Sequence, residues 1–294
     1  MITSPSNGKI KYVRELFLKS KVRKKEGCFI AEGIKMFLEA PGEDICEVFI
    51  SEKLHQRFRH EEELPKNYAA CRAKLEGLNY EVVADELFER MTGTVTPQGI
   101  LSLVRKSRYT LDELLDIENL RRENKTQKDT SALYVLLENL QDPGNLGTIL
   151  RTAEAAGADG VILGENCVDI YNPKVVRSTM GALYRVPFTY VEDLRETIDE
   201  IRAAGVLVYA AALDRNAKAY DYYDYRPPCA FLIGNEGNGL MEETIGKASA
   251  TIMIPMEGRG ESLNASMAAG IIMYEAVRQR RQDRSAAAIE PADK

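Results

Sequence analysis

VLLENLQDPGNLGTILRTAEAAG, residues 135 to 157, continues an apolar β-type run that begins at Leu133, breaks at Asp142-Pro143-Gly144-Asn145 and restarts as a helix. The helix carries one cation, Arg151, whose place in the pattern reads as buried. A strand feeding a tight polar loop at a helix N-terminus is where α/β proteins place ligands, because the first backbone N–H groups have no partner inside the helix. Two more such units follow, FLIGNEGNGL at 231 to 240 and TIMIPMEGRGESLNASMAAG at 251 to 270. The three loops read as parts of one site.

Outward from this stretch, the alternation of strand and helix continues to about Gln282. Strands are expected over GVILG, RVPFTYV, VLVYAAAL, CAFLIG and ATIMIPM. Helices are expected from Pro173 to Leu183, over DLRETIDEIRAAG and LMEETIGKA, and from Ala265 to about Gln282. The strands are apolar throughout rather than alternating, the mark of a parallel sheet buried on both faces. Upstream, Ile10 to Lys25 reads as a basic amphipathic helix, CFIAEG, CEVFIS, NYEVVA and GILSLV as short strands, and DELFERMTG as a helix with Asp85 as its N-cap. The chain thus divides into a smaller N-terminal α/β domain at 1–107, a polar linker at 108–130, the main α/β domain at 131–282 and a disordered tail at 283–294.

At 294 residues, 45% hydrophobic and 29% charged, the composition is that of a soluble globular protein. No apolar run approaches the roughly 18 residues that span a bilayer, and MITSPSNGKIKYVREL lacks a signal-peptide core. A cytoplasmic protein without membrane association is expected. The five cysteines are scattered with no CxxC pair, and His55 and His60 are five apart, so no metal site is expected. The two histidines lie on a polar surface helix, which leaves proton transfer to other groups.

The net charge of −6 hides an uneven distribution, with eight Lys and Arg against one acid in residues 1 to 25. Lys9, Lys11, Arg14 and Lys24 of that segment are candidate phosphate contacts; the competing reading is a solvated, charged tail.

No GxGxxG follows the first strand of the main domain, which argues against a nicotinamide-nucleotide site. The glycines gather instead in the last two loops, around Gly234-Asn235-Glu236-Gly237 and Gly258-Arg259-Gly260. LENLQDPGNLGTILRTAEAAG, FLIGNEGNGL and MIPMEGRGESLNASMAAGIIMYEA, in that order and spacing, resemble the three motifs of the SpoU (TrmH-type) branch of the SPOUT RNA ribose methyltransferases. FIAEGIKMFLEA and TPQGILSLV are similar to the RNA substrate-binding domain that precedes the catalytic domain in ribosomal-RNA members.

The resemblance implies an α/β fold whose C-terminal SPOUT domain combines a parallel sheet with a deep trefoil knot, beside a smaller N-terminal α/β RNA-binding domain. It implies S-adenosyl-L-methionine as cofactor, a homodimer, and methyl transfer to a ribose 2′-hydroxyl of structured RNA, ribosomal RNA before tRNA. A non-catalytic RNA-binding assembly factor on the same fold is the alternative from another class. By position, the resemblance makes Asn145, Arg151, Glu236, Ser262 and Asn264 the catalytic and motif residues. Leu213, Gly234, Asn235, Gly237, Ile254, Met256, Ser262 and Leu263 take the cofactor, and Arg177 faces substrate. Three alternatives stay open. Arg151 acts as base or as stabiliser of the developing alkoxide, the second favoured because a guanidinium, with a pKa above roughly 12, normally stays protonated. Asn145 caps the helix that follows or positions substrate, and Ser262 or Asn264 caps the last helix or serves the reaction.

Overall fold

The computed structural model describes residues 1–107, 109–117, 120–121 and 131–287, and by backbone contacts it separates into two units. Parts of the expected linker (108, 118–119 and 122–130) and of the expected tail (288–294) lie outside the described residues.

The first unit comprises Met1–Ser107 and Asp169–Tyr184. Its four strands, β1 (Cys28–Glu32), β2 (Ile45–Ser51), β3 (Tyr80–Val83) and β4 (Ile100–Arg105), lie in the order β1-β4-β2-β3. Only the β2–β3 pair is parallel. Successive strand residues point to opposite faces, so two cores form. Val48, Ile50 and Ile100 pack with Phe37 of α3 (Ile34–Glu39), Leu54 of α4 (Glu52–His60) and Leu75 of α5 (Lys66–Leu75). Phe49, Leu101 and Leu103 pack with Ile10, Val13 and Leu16 of α1 (Gly8–Leu18) and Phe88 of α6 (Asp85–Met91).

The single basic helix expected over Ile10 to Lys25 is two helices, because Lys19 adopts φ −118° and ψ 110° between α1 and α2 (Ser20–Glu26). The break is stabilised by Arg23, whose Nη1 donates to the carbonyls of Leu16 and Phe17 at 2.6 and 3.2 Å, acceptors left open at the end of α1. Asp85 is the first residue of α6 rather than its cap; its side chain accepts from the Lys53 amide at 3.0 Å.

Residues 169 to 184, which sequence order places in the main domain, pack in this first unit. Asp169 takes both Nε and Nη2 of Arg23, at 2.9 and 2.7 Å, and the Tyr171 ring lies 4.7 Å from that of Phe29. The helix expected from Pro173 to Leu183 stops at Ser178 (α9, Pro173–Ser178), where Met180 and Gly181 turn to positive φ.

The second unit, Arg108–Val168 with Arg185–Lys294, holds a sheet of seven strands among the described residues, with every strand pairing parallel. The strands are β5 (Leu133–Leu137), β6 (Gly160–Gly164), β7 (Phe188–Val191), β8 (Leu207–Ala211), β9 (Lys218–Ala219), β10 (Cys229–Ile233) and β11 (Ala250–Met253), in the order β7-β6-β5-β10-β8-β11-β9. All five residues of β5 and of β10 are buried, as an apolar strand covered on both faces requires. Strand β10 lies between β5 and β8, both made earlier in the chain. Helix α7 (Leu111–Leu115) covers Gly160 and Tyr134, and α10 (Leu194–Ala203) covers β8. Helix α8 (Pro143–Ala156) packs on α12 (Ala265–Ala287), which continues beyond the expected end near Gln282; the short α11 (Glu242–Ile245) follows the loop after β10. No helix among the described residues is long and apolar enough to cross a membrane.

Candidate active site

Asp142, not Asn145, caps α8: its side chain accepts from the Asn145 amide at 2.8 Å, with Pro143 in the first turn where no N–H is needed. Asn145 is thereby moved inside the helix, 8% exposed, with its carboxamide free to bridge. Its Nδ2 donates to Glu236 Oε1 at 3.0 Å, and its Oδ1 accepts from Asn264 Nδ2 at 2.9 Å. Glu236 also accepts from the Asp142 amide at 2.9 Å and the Gln141 amide at 3.2 Å. Asn264 in turn caps α12, its Oδ1 accepting from the Ser266 amide at 2.9 Å and hydroxyl at 2.6 Å. One chain of side-chain hydrogen bonds therefore links the loops after β5, β10 and β11.

The Glu236 carboxyl is held below the usual carboxylate range: partial burial pushes it up, but donation by Asn145 and by the amides of Asp142, Glu236 and Gln141 outweighs this. A carboxylate so engaged is a fixed anion of the loop frame rather than a proton acceptor.

The loop after β10 is closed tightly. Asn235 and Gly239 exchange amide-to-carbonyl hydrogen bonds at 3.0 Å in both directions, and the Asn235 side chain accepts from the Gly237 amide at 2.9 Å. A Cβ on Gly234 would lie 2.3 Å from the Gly239 carbonyl carbon, so only glycine fits there. Beneath it is a residue the sequence reading passes over. Glu138, 3% exposed, accepts from the Met241 amide at 2.8 Å and the Thr244 hydroxyl at 2.5 Å. Its signal in the sequence is one acid ending an otherwise apolar strand. Asn139, at φ 53°, supplies the carbonyl that accepts from Asn235 Nδ2 at 2.8 Å.

Strands β10, β8 and β11 are neighbours, so the loops leaving their C-terminal ends lie side by side. These loops carry Leu213, 66% exposed, and Leu263, 37% exposed, with Ile254 and Met256 half-buried; Gly237 and Ser262 are exposed. Apolar side chains standing in water on two of these adjacent loops, beside a glycine of the third with no room for a side chain, suit a ligand with a flat apolar body. Among the described residues no group of three or more His, Cys, Asp or Glu is placed to hold a metal ion.

Two of the residues brought forward by the motifs stand apart from the hydrogen-bonded chain. Ser262 takes no part in it. Arg151, expected to be buried, is exposed on α8 and has no hydrogen-bond or ion-pair partner among the described residues. The 3.6-residue period explains this: Leu146, Ile149, Leu150 and Ala153 turn inward and leave Arg151 on the opposite stripe. In the first unit Lys11, Arg14 and Lys24 are exposed, again without partners among the described residues. Lys9 differs from them, because its ammonium is bound by Glu47 and, at 2.7 Å, by Glu81. Arg177 lies in the same unit, 3.8 Å from Glu32.

Residues 132–274 match the model of the SpoU rRNA Methylase family, and residues 7–102 that of the MRM3-like substrate binding domain. The 23S rRNA (guanosine(2553)-2'-O)-methyltransferase RlmP of Bacillus subtilis is 30% identical over 276 residues, covering 93% of this chain and 97% of the relative. Two solved structures named as AdoMet complexes are similar throughout. The SpoU methyltransferase AviRb of Streptomyces viridochromogenes gives a TM-score of 0.76 at 28% identity, over 94% of this chain and 98% of that one. An rRNA methyltransferase of Sinorhizobium meliloti gives 0.74 at 29% identity, over 94% and 97%. With both halves matched in order and a relative aligned over nearly its whole length, the chain belongs to the SpoU rRNA methylase family.

Proposed function

We propose that this chain is an S-adenosylmethionine-dependent methyltransferase that modifies a ribose 2′-hydroxyl of ribosomal RNA, acting as a cytoplasmic homodimer whose catalytic sheet is closed by a trefoil knot. The carrying observation is the Asn264–Asn145–Glu236 chain, which joins the three motif loops of this family into one preorganised frame. RlmP is named for 2′-O-methylation of a guanosine in 23S rRNA, and 23S rRNA is the substrate class assigned here.

Leu213, Gly234, Asn235, Gly237, Ile254, Met256, Ser262 and Leu263 are the residues that would hold the cofactor. When bound, it supplies an electrophilic sulfonium methyl group. The chain's own part is orientation and charge. Arg151, uncommitted and cationic, donates to the ribose 2′-oxygen and stabilises the negative charge that develops there as the hydroxyl proton passes to solvent water. Glu236 and Asn145 keep the loops in register, and Lys11, Arg14, Lys24 and Arg177 grip phosphates. Support for the dimer comes from α12, where Met267, Ile271 and Tyr274 form one stripe, with Met267 58% and Tyr274 45% exposed in the single chain. Support for the knot comes from strand order, since β10 is inserted between β5 and β8 before α12 returns to α8.

The test is incubation with methyl-labelled S-adenosylmethionine and unmodified 23S rRNA, 16S rRNA or tRNA, followed by digestion to nucleosides. A labelled 2′-O-methylnucleoside from 23S rRNA is expected. Label on a base, or on tRNA alone, overturns the assignment.

A further inference from the structure

The arginines that meet buried acceptors in this molecule fall into two kinds. Arg23, with its side chain 4% exposed, commits all three nitrogens: Nε and Nη2 to Asp169, Nη1 to two carbonyls. Arg280 of α12 likewise directs Nε, Nη1 and Nη2 to the carbonyls of Tyr225, Ser131, Ala132 and Pro227. Arg177 is different. Its Nη1 is buried with no hydrogen-bond partner among the described residues, at 3.8 Å from Glu32 Oε2, while its side chain remains 34% exposed.

Glu32 cannot close that gap. Its side chain is 7% exposed, its Oε2 accepts from the Gly93 amide at 3.3 Å, and its Oε1 accepts from the Thr94 hydroxyl. The surrounding backbone is locked. A Cβ on Gly93 would lie 2.2 Å from the Phe17 ring, so the donor that holds Glu32 is pressed against α1. On the other side Gly33, at φ 96°, lies under Gln98, whose Oε1 accepts from the Ile34 amide at 2.9 Å. The result is a fixed, buried negative charge that attracts the guanidinium without consuming its donors. A buried carboxylate needs a compensating cation, and one held at this separation by its buried side keeps the N–H groups of its exposed side available to a second anion.

We propose that Glu32 is a positioning residue for RNA binding, holding the buried Nη1 side of the Arg177 guanidinium in place so that the N–H groups on its exposed side meet a phosphate of the substrate. This deepens the reading under Proposed function and rests on it for the contact between Arg177 and RNA. Glu32 touches no substrate; it acts through Arg177 alone.

The experiment measures the affinity of the full-length protein for an unmodified 23S rRNA transcript as a function of salt, with S-adenosylmethionine affinity and melting temperature as controls. Arg177→Ala is expected to weaken RNA binding about tenfold and to reduce the slope of log K against log salt by about 0.9, one phosphate contact. Glu32→Gln is expected to weaken binding in the same direction by about fivefold, and Glu32→Gln/Arg177→Ala to bind no worse than Arg177→Ala alone. S-adenosylmethionine affinity is unchanged in all three. If Arg177→Ala leaves affinity and slope as in the wild type, the RNA contact of Arg177 fails and the proposal with it. If Arg177→Ala weakens binding but Glu32→Gln does not, or if the two losses multiply, the contact stands and the positioning role is overturned. Glu32→Asp keeps the charge and carries the test should Glu32→Gln not fold. It is expected to bind within about threefold of wild type and to lose its remaining defect when combined with Arg177→Ala; a defect that persists there overturns the proposal.

Discussion

The loop junction at Asn145, Glu236 and Asn264 and the basic helix pair at residues 8 to 26 treat polar groups in opposite ways. At the junction each carboxamide or carboxylate is engaged by another loop, so the frame is complete before any ligand arrives. On the helix pair, Arg23 is fully engaged and holds the break between α1 and α2 together, while Lys11, Arg14 and Lys24 are left to solvent. A site that must stabilise a transition state gains from groups that cannot move. A surface that meets a polyanion gains from cations with no internal partner. In the second unit Arg151 follows the pattern of the helix pair: a cation without a partner among the described residues, on the helix whose first turn carries the engaged Asn145.

That contrast breaks first at Arg151. Arg151→Ala is expected to lower methyl transfer by about 10²- to 10³-fold. Melting temperature and S-adenosylmethionine affinity should hold, because the side chain is exposed and partnerless. A fall of several degrees in melting temperature would instead make Arg151 part of the frame. Arg280→Met tests the opposite extreme. Leaving the buried carbonyls of Ser131, Ala132, Tyr225 and Pro227 without their donor should cost about 3 kcal/mol, read as a lower urea midpoint with an unchanged m-value. A loss below about 0.5 kcal/mol would show that water replaces the guanidinium there.

On the helix pair, Lys11→Ala, Arg14→Ala and Lys24→Ala should each reduce the salt slope of RNA binding by about 0.9, whereas Lys9→Ala should leave it unchanged. Equal effects at Lys9 would mean that its pairing with Glu47 and Glu81 does not withhold it from RNA. The smallest effect is the pH dependence of the junction. Because the folded Glu236 carboxyl lies below its unfolded value, near 4.3, it contributes stability fully present above that value and lost as pH falls through the lower folded one. The gap in urea stability between wild type and Glu236→Gln should therefore narrow below about pH 4. A gap constant from pH 7 to pH 3 would remove the charge of Glu236 from the account.

What the sequence made legible is local. The apolar strands, the three polar loops and their order can be read from residue type alone, since each reports its own burial or turn. What escaped depends on residues distant in the chain. Nothing near Asn145 says that Glu236 will draw its carboxamide inward, and the Asp-Pro pair that displaces it from the cap is a weaker signal than the motif around it. The break at Lys19 rests on Arg23 and the distant Asp169, and Glu32 meets Arg177 across about half the length of the chain. The motifs drew attention to Arg151 but misjudged its exposure, which the helical period of its neighbours would have given.

The guanidinium of Arg280 reaches the carbonyl of Ser131 across 149 positions of sequence. A contact of such span is slow to find and forms late. On the ribosome, β5 emerges and waits with the Ser131 carbonyl at its leading end unanswered until the helix that carries Arg280 has been made. Helix α12 thus fastens the leading end of a strand made long before it.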